Sequence, residues 1–205
     1  MKNFIIYSAL VLSLSSCSVQ KDITKPNETP VLISDRFSFT EGPSADLNGN
    51  VFFTDQPNDK IYEWNCETNQ ISEFLNKTGR ANGTYIDSEG NLLTCSDENG
   101  EILSYSKNKV KTVLLSNFNG KRLNGPNDLW IDKGFIYFTD PLYVRDYWKN
   151  FKQEIDKENL YLRKPNGEII TVDTTFVKPN GIIGNAKKMN FMFLILVPEK
   201  PINIK

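Results

Sequence analysis

Few residue types in this sequence can do chemistry, because histidine is absent from all 205 positions. That excludes Ser-His-Asp and Cys-His catalysis, an imidazole general base and His-ligated zinc. Carboxylates, amides or a hard metal ion are left. Three short segments offer such groups: Glu41-Gly42-Pro43, Asn124-Gly125-Pro126-Asn127-Asp128 and Pro179-Asn180-Gly181. Oxygens of Glu, Asp and Asn suit Ca2+ or Mg2+, and a bound cation polarises a carbonyl and activates water. The same residues have a plainer use. Asn tolerates left-handed backbone and bonds nearby main chain, so Asn-Gly and Asn-Asp also build turns. Taken singly, each position leaves both uses open.

What could gather these segments is a repeat. From Phe37 onward the chain cycles through a Gly-containing turn, a short strand, an Asp-Gly-like turn, an alternating apolar strand and a further strand. The first copy holds Glu41-Gly42-Pro43, the turn Asp46-Leu47-Asn48-Gly49-Asn50, and the strands Val51 to Asp55 and Lys60 to Trp64. The second opens at Asn82-Gly83, and its turn, beginning at Asp87, follows about 41 residues after that of the first. That spacing suits a propeller blade. The third carries Asn127-Asp128, the strand Phe135 to Asp140 and the hairpin turn Pro165-Asn166-Gly167, and a fourth opens at Lys178-Pro179-Asn180-Gly181. The fold class is therefore all-β, an incomplete β-propeller of about three and a half blades, with Glu41, Asn127-Asp128 and Asn180 at the mouth of its central channel. A long insertion, Tyr143 to Glu158, is expected to be a solvated loop with a helical turn near Trp148 to Ile155, the alternative being a lid over a pocket.

The domain is expected to span 31–189. The tail from Asn190 to Lys205 is apolar then basic, carries no Asp-Gly turn, and is expected to fit no blade strand. This points to a frameshift, because its back-translated codons, read two bases later, admit Leu-Tyr-Val-Ser-Asp-Pro-Gly, a strand and a turn. An open ring leaves unpaired edges, so instability is the physical expectation.

At the other end, Lys2 precedes an apolar run from Phe4 to Leu14, too short for a lasting bilayer span. Leu14-Ser15-Ser16-Cys17 resembles a bacterial lipobox, which implies a signal peptide over 1–16, a lipid on Cys17 and a polar tether over 17–30. The expected location is the bacterial cell envelope, periplasmic or outer-membrane-associated, with the membrane as partner through that anchor. A formal net charge of -1 with scattered Lys and Arg offers no face to a phosphate backbone, so nucleic acid is not an expected partner. Cys66 and Cys95 either pair or, the favoured reading, serve as two small buried hydrophobes.

Arg122-Leu123-Asn124-Gly125-Pro126-Asn127-Asp128 followed by Tyr137-Phe138-Thr139-Asp140-Pro141 resembles the bacterial gluconolactonase branch of the senescence marker protein, gluconolactonase and luciferin-regenerating enzyme family. Glu41-Gly42-Pro43 and Arg80-Ala81-Asn82-Gly83 support the resemblance. It implies a six-bladed propeller that hydrolyses a sugar lactone to an aldonic acid with one divalent metal, Ca2+ first and Mg2+ or Zn2+ as alternatives. It further implies Glu41 and Asn180 as metal ligands, Asn127 and Asp128 as catalytic, and Asn127, Arg80 and Asn82 as substrate-binding. Two departures stand against it. The family's further metal-binding Asp, in a Pro-Asp-Gly motif, has no counterpart up to Lys205, and an Arg of animal relatives is Gly125 here. An impaired lactonase is therefore expected, the alternative being a noncatalytic exported propeller that binds a sugar or cell-envelope partner.

Overall fold

The computed structural model describes residues 27–149, 151–185 and 190–195, the last as backbone. The expected signal peptide, Cys17 and most of the tether lie outside the described residues. The chain divides into Met1–Asp35 and Arg36–Lys205. In the first unit, residues 27–35 carry no strand. No helix among the described residues is long and apolar enough to cross a membrane.

Among its described residues the second unit holds fourteen strands. The first sheet is β1 (Thr40–Ala45), β2 (Val51–Asp55), β3 (Lys60–Asn65) and β4 (Gln70–Asn76), paired antiparallel in chain order. The second repeats this with β5 (Ala81–Ile86), β6 (Leu92–Ser96), β7 (Glu101–Tyr105) and β8 (Lys111–Leu115). The third does so with β9 (Leu129–Asp132), β10 (Phe135–Asp140), β11 (Asn159–Arg163) and β12 (Ile169–Asp173). The fourth is a pair, β13 (Pro179–Asn185) with β14 (Asn190–Ile195). These are three full propeller blades and an opening fourth. The first-to-second strand turns share one design: Asp46 accepts from the N–H groups of Asn48 and Asn50, and Asp87 from those of Glu89 and Asn91. Gly49 and Gly90 close these turns at positive φ, where a Cβ would be strained.

The strand Asn190–Ile195 corrects the expectation that this stretch fits no blade. It pairs antiparallel with β13 from Asn185↔Asn190 to Pro179↔Ile195. The ladder is main-chain, and a run of Phe, Met, Leu and Ile favours it without the absent turn motif. The insertion also differs from expectation. It carries no helix among the described residues, and Ile155, 8% exposed, joins the core cluster of the second and third blades.

Each apolar cluster joins neighbouring blades rather than filling one. Phe52 and Ile61 of the first blade meet Leu92, Leu103 and Tyr105 of the second. Leu93, Cys95 and Ile102 meet Leu129, Phe138 and Tyr161 of the third. Trp130 and Leu160 meet Ile182 of the fourth. At roughly 1.5 to 3 kcal/mol for each large buried side chain, this packing dominates the blade-to-blade contact. Among the described residues Cys66 and Cys95 are both free, Cys95 within the core and Cys66 half-buried.

Candidate functional site

The inner strand of every blade opens at one end of the axis, and the segments singled out by sequence all lie there. Glu41 is in β1, Asn82 in β5, Asn127 two residues before β9, and Asn180 in β13. Their backbones are committed to joining the blades. Thr54 Oγ1 donates to the Asn82 carbonyl at 3.0 Å, and Thr139 Oγ1 to the Asn180 carbonyl at 2.7 Å. Gly83 N–H donates to the Asn127 carbonyl at 2.7 Å. The side chains are thereby left for the mouth. Asn82 and Asn127 are each only 4% exposed, and among the described residues neither amide group makes a side-chain hydrogen bond.

Close approach at this end depends on glycine. A Cβ on Gly42 would stand 2.5 Å from the Asn82 carbonyl oxygen, and one on Gly83 would stand 2.4 Å from Asp128 Oδ1. Where those two blades have glycine, the third has Asp128. Its Oδ2 accepts the Ile182 N–H at 2.9 Å, tying the third blade to the fourth. Asp128 also lines a channel pocket of about 300 Å³ with Thr84, Tyr85 and Ile182.

Burial pushes the Asp128 carboxyl up to about 6, against the lowering effect of the Ile182 and Leu129 N–H groups, and the charge of Glu41 adds to the rise. Glu41 is itself raised, first by burial, with the Gly42 N–H and the Arg145 guanidinium opposing. The Glu41 charge therefore reaches Asp128 across one mouth, a repulsion that a cation would relieve.

Arg80 is placed differently from Asn82. At positive φ it turns outward, Nη1 donating to the Pro57 carbonyl at 2.7 Å and its guanidinium lying over the Tyr147 ring at 4.2 Å. It belongs to a flank of the mouth that the sequence motifs did not reveal. At the centre of that flank is Asp97, 3% exposed, whose Oδ2 accepts from Arg145 Nε at 3.2 Å, from Gln56 Nε2 at 3.3 Å and from the Tyr147 hydroxyl. Burial raises the Asp97 carboxyl, and Tyr147 and Arg145 oppose the rise. Arg145 and Tyr147 come from the insertion, which is thus folded onto the mouth. Arg122 clips it there, its guanidinium 5.0 Å from the Trp148 ring and 5.1 Å from the Phe151 ring. Their composition carries the one signal that could have found them: an aromatic-rich insertion with a lone Arg.

A divalent cation suits the donors present: the Glu41 and Asp128 carboxylates and the amides of Asn82, Asn127 and Asn180 are hard oxygen ligands. Among the described residues no group of three or more His, Cys, Asp and Glu side chains forms a metal cage. Glu41 with the facing amides offers a hard cation oxygen ligands that water would complete, and Asp128 stands beside them.

Comparison with known proteins places this chain among relatives. Residues 39–195 match the family model described as the SMP-30/Gluconolactonase/LRE-like region. The chain is 28% identical to a gluconolactonase of Zymomonas mobilis subsp. mobilis, over 78% of this chain and 49% of that protein. It is 24% identical to a diisopropyl-fluorophosphatase of Loligo vulgaris, over 78% of this chain and 56% of that one. A gluconolactonase structure from Xanthomonas campestris superimposes with a TM-score of 0.74 at 22% identity, covering 80% of this chain and 56% of the other, a likeness of fold. The chain spans about half the length of the curated relatives it matches.

Proposed function

Because the chain belongs to the SMP-30/Gluconolactonase/LRE-like family, we propose that its mouth hydrolyses a sugar lactone to an aldonic acid. Contacts between neighbouring blades draw together the segments that carry Glu41, Asn82, Asn127 and Asn180, and that convergence supports the reading. Glu41 and Asn180, with Asn127 beside them, would hold one divalent cation, Ca2+ before Mg2+ or Zn2+. When bound, the cation supplies Lewis-acid polarisation of the lactone carbonyl.

The chain's own groups do the rest. Asp128, raised to about 6, is ionised at neutral pH yet basic enough to take a proton from an attacking water. The water oxygen bonds to the acyl carbon, the bond from that carbon to the ring oxygen breaks, and the ring oxygen recovers the proton from Asp128. One water is added and the hydroxy acid leaves. The amide groups of Asn82 and Asn127 bond the sugar hydroxyls and orient the ring. The folded insertion carries Arg145 and Tyr147 over the same opening and limits bulk water there. A lipid on Cys17 would hold the domain at the cell envelope, which the mass of the mature N-terminal peptide tests.

Titrating the acid released from D-glucono-1,5-lactone, corrected for spontaneous opening, tests the reaction. The chain is expected to accelerate it, and Asp128→Asn to lower the rate by about 10²- to 10⁴-fold. No acceleration by a folded chain would sink the proposal and favour a noncatalytic propeller.

A further inference from the structure

Beside the mouth lies a pocket of about 330 Å³ lined by Phe39, Gln56, Pro57, Arg80, Arg145 and Tyr147. Its polar groups are unbalanced. Arg145 uses Nε on Asp97, and among the described residues its two terminal nitrogens have no hydrogen-bond partner. Arg80 uses Nη1 on the Pro57 carbonyl, while its buried Nε has no hydrogen-bond partner. Glu98 Oε1 stands 4.0 Å from that Nε, an ion-pair separation too long for a hydrogen bond. Gln56 directs one of its two amide donors to Asp97, and Tyr147 its hydroxyl. Asp97 is thus occupied from three sides, and what remains around the pocket is mostly N–H, from the two guanidinium groups and Gln56, beside the one Gln56 Oε1 acceptor. Guanidinium groups donate and never accept, so an occupant must bring acceptor oxygens.

Phe39 and Pro57 give the pocket an apolar wall, which strengthens charge-assisted bonds made inside it. Arg145 also connects the pocket to the mouth, because its charge acts on Glu41. The planar two-oxygen group that matches a guanidinium fork is a carboxylate. We propose that this pocket is a carboxylate subsite held by Arg80 and Arg145, and that the preferred substrate is the lactone of a dicarboxylic sugar acid rather than a neutral aldonolactone. The substrate class rests on the lactonase reading; the subsite itself does not.

The test uses D-glucaro-1,4-lactone and D-glucono-1,4-lactone, which carry a carboxylate and a CH₂OH at the same carbon. Their binding to the full chain is measured by calorimetry at low salt with a chelator present. The carboxylate ligand is expected to bind at least about tenfold tighter, the ratio falling as salt rises. Arg145→Gln and Arg80→Gln are each expected to bring the ratio close to one, and Arg145→Lys, which keeps the charge and loses the fork, to leave an intermediate value. A ratio near one in the unaltered chain, or one that survives both Gln variants, overturns the subsite. Hydrolysis is followed separately. Selective binding without turnover supports the subsite and counts against the lactonase, whereas turnover with a ratio near one does the reverse.

Discussion

Gly83→Ala is the substitution most diagnostic of how the mouth is assembled. The Gly83 N–H donates to the Asn127 carbonyl at 2.7 Å, and a Cβ there would stand 2.4 Å from Asp128 Oδ1, 2.5 Å from the Asn127 oxygen and 2.6 Å from Asp128 Cα. These are about 1 Å short of ordinary contact. Two of the three atoms are backbone, so the third blade must shift away from the second. Overpacking of this kind costs roughly 1 to 3 kcal/mol, and the lost hydrogen bond about 1 more. For a domain of this size the melting temperature should fall by roughly 4 to 16 °C. Lactone hydrolysis should fall further than stability does, because Asn127 and Asp128 move with the displaced backbone. Thermal unfolding by circular dichroism and an initial-rate assay on the same preparation measure both. An alanine variant that melts within about 2 °C of the unaltered chain and keeps its rate would refute the close-packed mouth.

Other substitutions probe separate features. If Asp128 is the proton acceptor, kcat/KM should rise with pH through the Asp128 titration, which lies at about 6 without the cation and lower with it, and level off above; Asp128→Asn should abolish that limb. Asp140 is fully buried and pushed up to about 7, first by burial, against the Gly125 and Asn124 N–H groups it accepts from. The folded state therefore holds its proton more tightly than the unfolded chain does. Stability from this group is complete below about 4 and is lost as pH rises toward 7, so Asp140→Asn should flatten denaturant midpoints across that window. Thr139→Val removes the 2.7 Å bond to the Asn180 carbonyl and should cost about 1 to 3 kcal/mol in urea denaturation.

Much of this architecture is legible in the sequence because each blade repeats short-range chemistry. The Asp46 and Asp87 turns bond within their own few residues, so the local motif announces the hairpin. Glu41, Asn82, Asn127 and Asn180 are findable because they share a position in the repeat. Asp97, Gln56, Arg145 and Tyr147 are not, since what unites them is one carboxylate oxygen reached from 41, 48 and 50 residues away. The folding of the insertion onto the mouth is likewise a tertiary event, fixed by Arg122 against Trp148 and by the buried Ile155. Strand β14 escapes motif reading for the opposite reason, because what places it is a main-chain ladder with β13 rather than a turn motif. Arg80 shows the limit of a motif. It stands two residues before Asn82, yet positive φ sends it to the flank.

Glu41 and the facing amides are proposed to make a cation-dependent lactone site. The most direct measurement is the initial rate of D-glucono-1,5-lactone opening by the full chain, titrated with Ca2+ after chelation, beside Glu41→Gln. A saturable rise with Ca2+ in the unaltered chain, shifted to much higher Ca2+ or lost in the variant, is the expected result. A rate indifferent both to chelation and to Glu41→Gln would contradict the claim.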